Sequence, residues 1–156
     1  MNLVIKEMNN KDETVSISKE IVYDLPEWFG LLESTENYIV DAQDKPFLAC
    51  YLDNDVAGYI VLNETSRDCA DIFVMGIKKQ YHRMGNGTTL NEAYERLAKK
   101  LGYTYSQVKT VKSWHYKEYD ITNQFYVAMG YKELECFPTL WDEWNPCQIY
   151  IKYLGE

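Results

Sequence analysis

Histidine is scarce in this 156-residue chain, with only His82 and His115, and its four cysteines, Cys50, Cys69, Cys136 and Cys147, form no C-x-x-C pair. A zinc site needs clustered ligands of these types, so none is expected, and the thiols read as buried, reduced small hydrophobes. No apolar run approaches the ~20 residues that span a bilayer, and residues 1–8, with Lys6 and Glu7, lack the apolar core of a signal peptide. The expected location is therefore cytoplasmic, with no membrane partner. There is no internal repeat and no low-complexity linker, and the length suits one domain over residues 1–156. Basic residues are also in deficit: 16 Lys plus Arg against 24 Asp plus Glu give a net charge of −8. Such a surface repels a phosphate backbone, which argues against nucleic acid, and attracts a small cation such as a protonated amine.

Aromatic residues are abundant: 14 Tyr, 5 Phe and 4 Trp. Tyr and Trp keep a polar tip, so some of these rings should serve more than the core. Apolar periodicity predicts a strand over residues 3–8, helices near 18–23 and 34–42, and a hairpin of 47–52 with 56–62 around Asp53-Asn54-Asp55. Residues 70–77 are apolar on both faces except at Asp71, as in a central strand. Residues 85–101 switch to helical spacing through Leu90, Ala93, Leu97, Ala98 and Leu101. A strand over 103–111, a helix over 120–129 with Asp120 as N-cap and Ile121, Phe125, Ala128 and Met129 inward, and strands over 131–137 and 148–153 complete the chain. The order β-α-α-β-β-β-α-β-α-β-β predicts a mixed α/β domain around one sheet.

The junction from the central strand into the long helix is the most informative stretch. A strand ends, a polar loop turns, and Gly85 and Gly87 open a helix. The first N–H groups of a helix lack partners and its dipole favours negative charge, so this is an anion cradle, with His82 and Arg83 as further donors. It is not a Walker loop, since no G-K-[ST] follows, nor G-x-G-x-x-G, since Leu90 stands at the third glycine.

About 40 residues on comes Phe125-Tyr126-Val127-Ala128-Met129-Gly130-Tyr131. Together with His82-Arg83-Met84-Gly85-Asn86-Gly87, this resembles the GNAT superfamily of acyl-CoA-dependent N-acetyltransferases. That family carries Gln/Arg-x-x-Gly-x-Gly/Ala after a central strand, then Phe-Tyr-x-x-x-Gly-Phe/Tyr on a later helix; here His82 replaces the leading Gln or Arg. The resemblance implies a GNAT-like domain, a central, mostly antiparallel mixed sheet flanked by helices, with acetyl-CoA as co-substrate and no metal. It implies that the backbone of Met75, Gly76 and Ile77 pairs with the pantetheine arm and holds the thioester carbonyl. His82, Arg83, Met84, Gly85, Asn86, Gly87 and Thr88 would carry the pyrophosphate. Tyr126 matches the tyrosine that protonates the departing thiolate. The Asn that precedes it by seven residues in many relatives is Tyr119 here, which leaves Asn123 as a substitute cofactor contact.

An amine of pKa about 10 must lose a proton before it attacks. Asp71, the lone charge in the central strand, is the first candidate base, at the place of a catalytic Glu in histone-type relatives. Its alternatives are a solvent-facing or Arg67-paired carboxylate. Glu64 is the second candidate, and His115 a third. The acceptor side is expected in two loops that mix rings and carboxylates, with Trp28 and Phe29 early and Trp141 and Trp144 late. The competing use of those rings is core packing or a homodimer contact. The expected activity is acetyl transfer to a primary amine of a small cationic acceptor by direct attack in a ternary complex. A non-catalytic acyl-CoA sensor and a protein or aminoacyl-tRNA acetyltransferase are the alternatives.

Overall fold

Residues 47–77 carry three apolar runs broken by polar turns, a pattern that folds back on itself twice. In the computed structural model, which describes residues 2–155, the runs are β2 (Phe47–Leu52), β3 (Asp55–Ser66) and β4 (Cys69–Ile77). Asp53 and Asn54 both take positive φ, 48° and 72°, the geometry of a two-residue hairpin turn whose twist matches its strands. With β1 (Leu3–Glu7), β5 (Tyr105–Val111), β6 (Lys132–Phe137) and β7 (Cys147–Tyr153), they form one sheet in the order β1-β2-β3-β4-β5-β7-β6. Every neighbouring pair is antiparallel except β4 and β5. That parallel pair needs a crossover, and α3 (Asn86–Lys100) supplies it.

Helices cover the two faces separately. From α1 (Lys11–Val22) and the turn after it, Ile17, Ile21, Val22 and Leu25 pack on Ala49, Tyr59, Val61 and Val74, joined by Ile39 of α2 (Leu32–Asp41). On the other face Leu90, Tyr94 and Ala98 of α3, and Tyr126 of α4 (Lys117–Ala128), pack on Leu62, Ile72, Val108 and Tyr150. Each large apolar side chain buried this way contributes about 1.5–3 kcal/mol.

The expected element order holds, and the details differ where polar chemistry set them. Helix α1 begins at Lys11, not near 18, because Asn10 caps it by accepting the Glu13 N–H at 3.0 Å and Asp12 and Glu13 favour the positive helix end. Helix α4 begins at Lys117, and Asp120 is not its cap. The Asp120 carboxylate instead accepts the Trp114 N–H at 2.6 Å. The buried face of α4 is Asn123 and Tyr126, whereas Ile121 is 48% exposed and Ala128 is exposed. The apolar pattern misled there because Asn123 is buried fully hydrogen-bonded, which removes the cost of burying an amide.

One irregularity positions the site. Val61 pairs with Val74 and Leu62 with Ile72, so Phe73 is an extra residue in β4. Such a bulge bends its strand and strengthens the local twist. It falls one residue after Ile72, the last residue of β4 that pairs with β5.

Candidate active site

β3 and β4 pair from Ser66 opposite Cys69 to Gly58 opposite Ile77, the full length of β4. β4 and β5 pair at four positions only, from Cys69 opposite Tyr105 to Ile72 opposite Val108. Beyond that rung β4 stays with β3, while β5 leaves with β7 as far as Val111 opposite Cys147. Residues 73–77 therefore have no strand partner on the β5 side. An extended chain with amide groups can add there as a strand does.

The helix that follows β4 begins with free backbone N–H groups. Arg83 and Gly85 take positive φ, 61° and 79°, and α3 starts at Asn86. The first intrahelical bond is from the Thr89 N–H to the Gly85 carbonyl at 3.1 Å, which leaves the N–H groups of Asn86, Gly87 and Thr88 without helical partners. The glycines have different reasons. A side chain at Gly85 would meet open space but a strained backbone, whereas a Cβ at Gly87 would lie 3.3 Å from the Phe125 ring. The loop before the helix is tied down by Asp55, which accepts the Tyr81 hydroxyl at 2.6 Å and pairs with Lys78 at 3.4 Å; Lys78 also pairs with Glu20 at 3.1 Å.

The reactive candidates flank the last β4–β5 rung. Tyr126, 6% exposed, packs its ring against Tyr150, the partner of Val108. Burial holds its phenol far above the ordinary tyrosine range, and it makes no hydrogen bond to the described residues. Asp71 sits opposite Gln107 and is 5% exposed. Its Oδ1 is buried with no hydrogen-bond partner among the described residues. Burial raises its pKa, while the Lys109 ammonium and the Gln107 amide draw it partly back. Asp71 is thus neither solvent-facing nor paired with Arg67. Tyr38 of α2 and Tyr119 of α4 bring two half-buried phenols into the electrostatic neighbourhood of Asp71 and Tyr126, that of Tyr119 pushed up to about 12 by burial.

Other expected residues lie elsewhere or are already engaged. Glu64 is exposed and accepts the Tyr103 hydroxyl at 2.8 Å, on the closed part of the seam opposite Ala70. His115 is exposed. Asn123 donates both amide hydrogens to protein, to the Val111 carbonyl at 2.8 Å and the Tyr119 carbonyl at 2.6 Å, and its oxygen accepts from Tyr150. It holds α4 to β5 and β7 and has no amide hydrogen left for a cofactor. The His82 Nε2 lies 2.6 Å from the Ile77 carbonyl, which ties this ring to the end of β4 through one of its two nitrogens.

The early loop is tied to α4 and to His82. The Trp28 indole donates to Thr122 of α4 at 3.1 Å, its carbonyl accepts the Tyr119 hydroxyl at 2.8 Å, and its ring stands edge-on to His82 at 6.0 Å. Phe29 stands edge-on to Tyr38. In the late loop Asp142 accepts the N–H groups of Trp144 and Asn145, both at 2.8 Å, which folds the loop and leaves Trp141 and Trp144 exposed. Tyr38, Gln107 and Lys109 were not singled out from the sequence. The signal for the last two was the alternation Gln107-Val108-Lys109, which turns two polar residues to one face of β5.

Known structures share this architecture. yncA from Salmonella typhimurium, solved with its cofactor acetyl-CoA, superposes with a TM-score of 0.74 at 13% identity, covering 99% of this chain and 95% of that one. An aminoglycoside 6′-N-acetyltransferase complexed with coenzyme A gives 0.75 at 15% identity, covering 98% of each chain. The ribosomal-protein-S18-alanine N-acetyltransferase from Escherichia coli gives 0.75 at 14%, covering 99% and 96%. No curated protein matches the chain by sequence. The family profile described as Acetyltransferase (GNAT) family matches residues 5–131, a span that holds β4, the α3 cradle and the Phe125–Tyr131 motif, and the chain belongs to that family of acyltransferases.

Proposed function

We propose that the protein transfers the acetyl group of acetyl-CoA to a primary amine by direct attack in a ternary complex. The observation that carries this reading is the β4–β5 seam, which stops after four rungs with Tyr126 on one face of its last rungs and Asp71 on the other. Acetyl-CoA, when bound, supplies a thioester carbonyl open to attack. The unpaired edge of residues 73–77 would hold its arm, and the N–H groups at the start of α3 would hold its pyrophosphate.

The protons can be followed through this chain's residues. An acceptor amine arrives as an ammonium and sheds two protons on becoming an amide. Asp71, buried and raised toward the working range, takes the first. The second passes through Tyr126 to the sulfur that leaves. A free thiol has a pKa near 8.5 and a phenol near 10, so full transfer from Tyr126 alone is uphill. Tyr126 therefore acts as hydrogen-bond donor to sulfur and relay for the amine proton, and ends the cycle as a neutral phenol.

The test is release of CoA thiol from acetyl-CoA against a panel of primary amines, with Tyr126→Phe beside the wild type. The expected result is turnover with at least one amine, and a loss of about 100-fold or more in kcat for the variant with little change in the acetyl-CoA KM. Tight CoA binding with no thiol release for any amine would establish a sensor instead.

A further inference from the structure

The face of the sheet that carries Asp71 is covered on one half only. Helices α1 and α2 pack on β2, β3 and β4; on β5 and β7 the same face is buried at Val111, Cys147 and Ile149 and opens from Lys109 onward, where Gln107, Lys109 and Ile151 are partly exposed and Tyr105 and Tyr153 more so. Asp71 and Gln107 are opposite one another in the parallel pair, so their side chains share this face, and Lys109, two residues on along β5, shares it too. Lys109 is the first residue of β5 beyond the closed seam, and its neighbour across β7 is Ile149.

The two charges stand on the two arms of the fork at its apex. Asp71 has an oxygen with no partner, and that side chain is more than nine-tenths buried. Lys109, half-buried, forms no ion pair within 4 Å among the described residues. Their positions along the strands differ by two residues, about 6.6 Å. A molecule with an ammonium and a carboxylate a few ångströms apart would satisfy both, the ammonium on Asp71 and the carboxylate on Lys109. A diamine or polyamine would satisfy Asp71 and then bring a second positive charge against Lys109, which is unfavourable in a half-buried site.

We propose that the acceptor is a free amino acid, with the reacting amine held by Asp71 and its carboxylate held by Lys109. This rests on the transferase reading above and narrows its substrate class. Gln107, opposite Asp71 and two residues before Lys109, and Tyr38, whose ring stands edge-on to Phe73 at 5.3 Å, complete the polar floor.

The test is kcat/KM for acetyl-CoA-dependent thiol release with matched acceptors: L-amino acids, the same amino acids as carboxamides, and aliphatic diamines. The expected result is a preference of tenfold or more for the free acid over its amide, with diamines poorest. Lys109→Gln should lower kcat/KM for the free acid at least tenfold and bring the acid-to-amide ratio close to one, and Lys109→Glu should invert that ratio. Amides or diamines used as well as the acids by the wild type would overturn the proposal and leave the transferase reading intact. An unchanged ratio in Lys109→Gln would do the same. Thiol release with no amine of any class would overturn the transferase reading, and this proposal with it.

Discussion

The two seams of β4 could hardly be less alike. On one side β3 stays paired with it over its whole length, antiparallel, with Gly58 close enough to β4 that a Cβ there would sit 2.6 Å from the Gly76 carbonyl. On the other side β5 is parallel, connected through α3, and lets go after Ile72. A strand in the middle of a sheet ordinarily has both edges satisfied, because buried N–H and C=O groups without partners are costly. Here the bulge at Phe73 bends β4 at the point of separation, and residues 73–77 are left without a strand on the β5 side. The closed seam provides stability, and the open one leaves backbone groups free to pair.

The largest expected effect comes from prying open the closed seam. Gly58→Val should destabilise by about 3 kcal/mol, because the clash is with backbone that cannot rotate away. In a thermal melt that is a fall of roughly 6–12 °C for a chain of this size. A melt within a degree or two of wild type would show that the seam yields more easily than its packing implies.

Asp71→Asn asks the opposite question, since it changes the open seam without changing its shape. We expect kcat/KM to fall about 100-fold, which corresponds to about 2.7 kcal/mol in the barrier. Stability should move the other way. The folded pKa of Asp71 lies above its unfolded value, so its contribution is favourable in acid, below the ordinary carboxylate pKa near 4, and is lost as pH rises through the raised value. The variant should therefore match wild type in acid and gain on it as pH rises through that window. Chemical denaturation at several pH values checks the sign.

Ser106→Ala probes the rungs that do hold β4 to β5. Ser106 lies opposite Ala70 and bonds the Tyr94 and Tyr131 hydroxyls, both at 2.8 Å and all three buried. Its removal strands two phenols and should cost about 1–3 kcal/mol. The smallest effect is at the cradle. Gly85→Ala meets no atom, only a left-handed backbone, and should cost about 1 kcal/mol in stability together with a several-fold rise in the acetyl-CoA KM. A rise in KM without any loss of stability would mean that the loop's conformation is set by the cofactor and not by the fold.

Much of this was legible in the residues. The hairpin turn at Asp53-Asn54, the glycines opening α3 and the Phe125–Tyr131 motif are local signals whose chemistry is complete within a few residues. The helix start at Lys11 was missed because its cap, Asn10, precedes any apolar periodicity. The buried face of α4 was misread because Asn123 counts as polar in a pattern, yet is buried with both of its amide hydrogens bonded. The contacts of His82 and of Asn123 with protein atoms could not be read at all, since their partners Ile77 and Val111 are fixed only by where β4 and β5 end.

The sequence alone therefore determined the order of elements, the net negative charge, the glycine-led start of α3 and the Phe125–Tyr131 motif, because each depends on neighbours along the chain. It also singled out Asp71 as anomalous, since one charge in an apolar strand needs no structure to be noticed. Tertiary structure decided the company that Asp71 keeps. Residues 38, 71, 109 and 126 come from four elements, and only the partial pairing of β4 with β5 brings a buried acid, a half-buried lysine and two phenols to one fork. No pattern along the chain encodes that rung, because it is set by the place where a bulge makes two strands part.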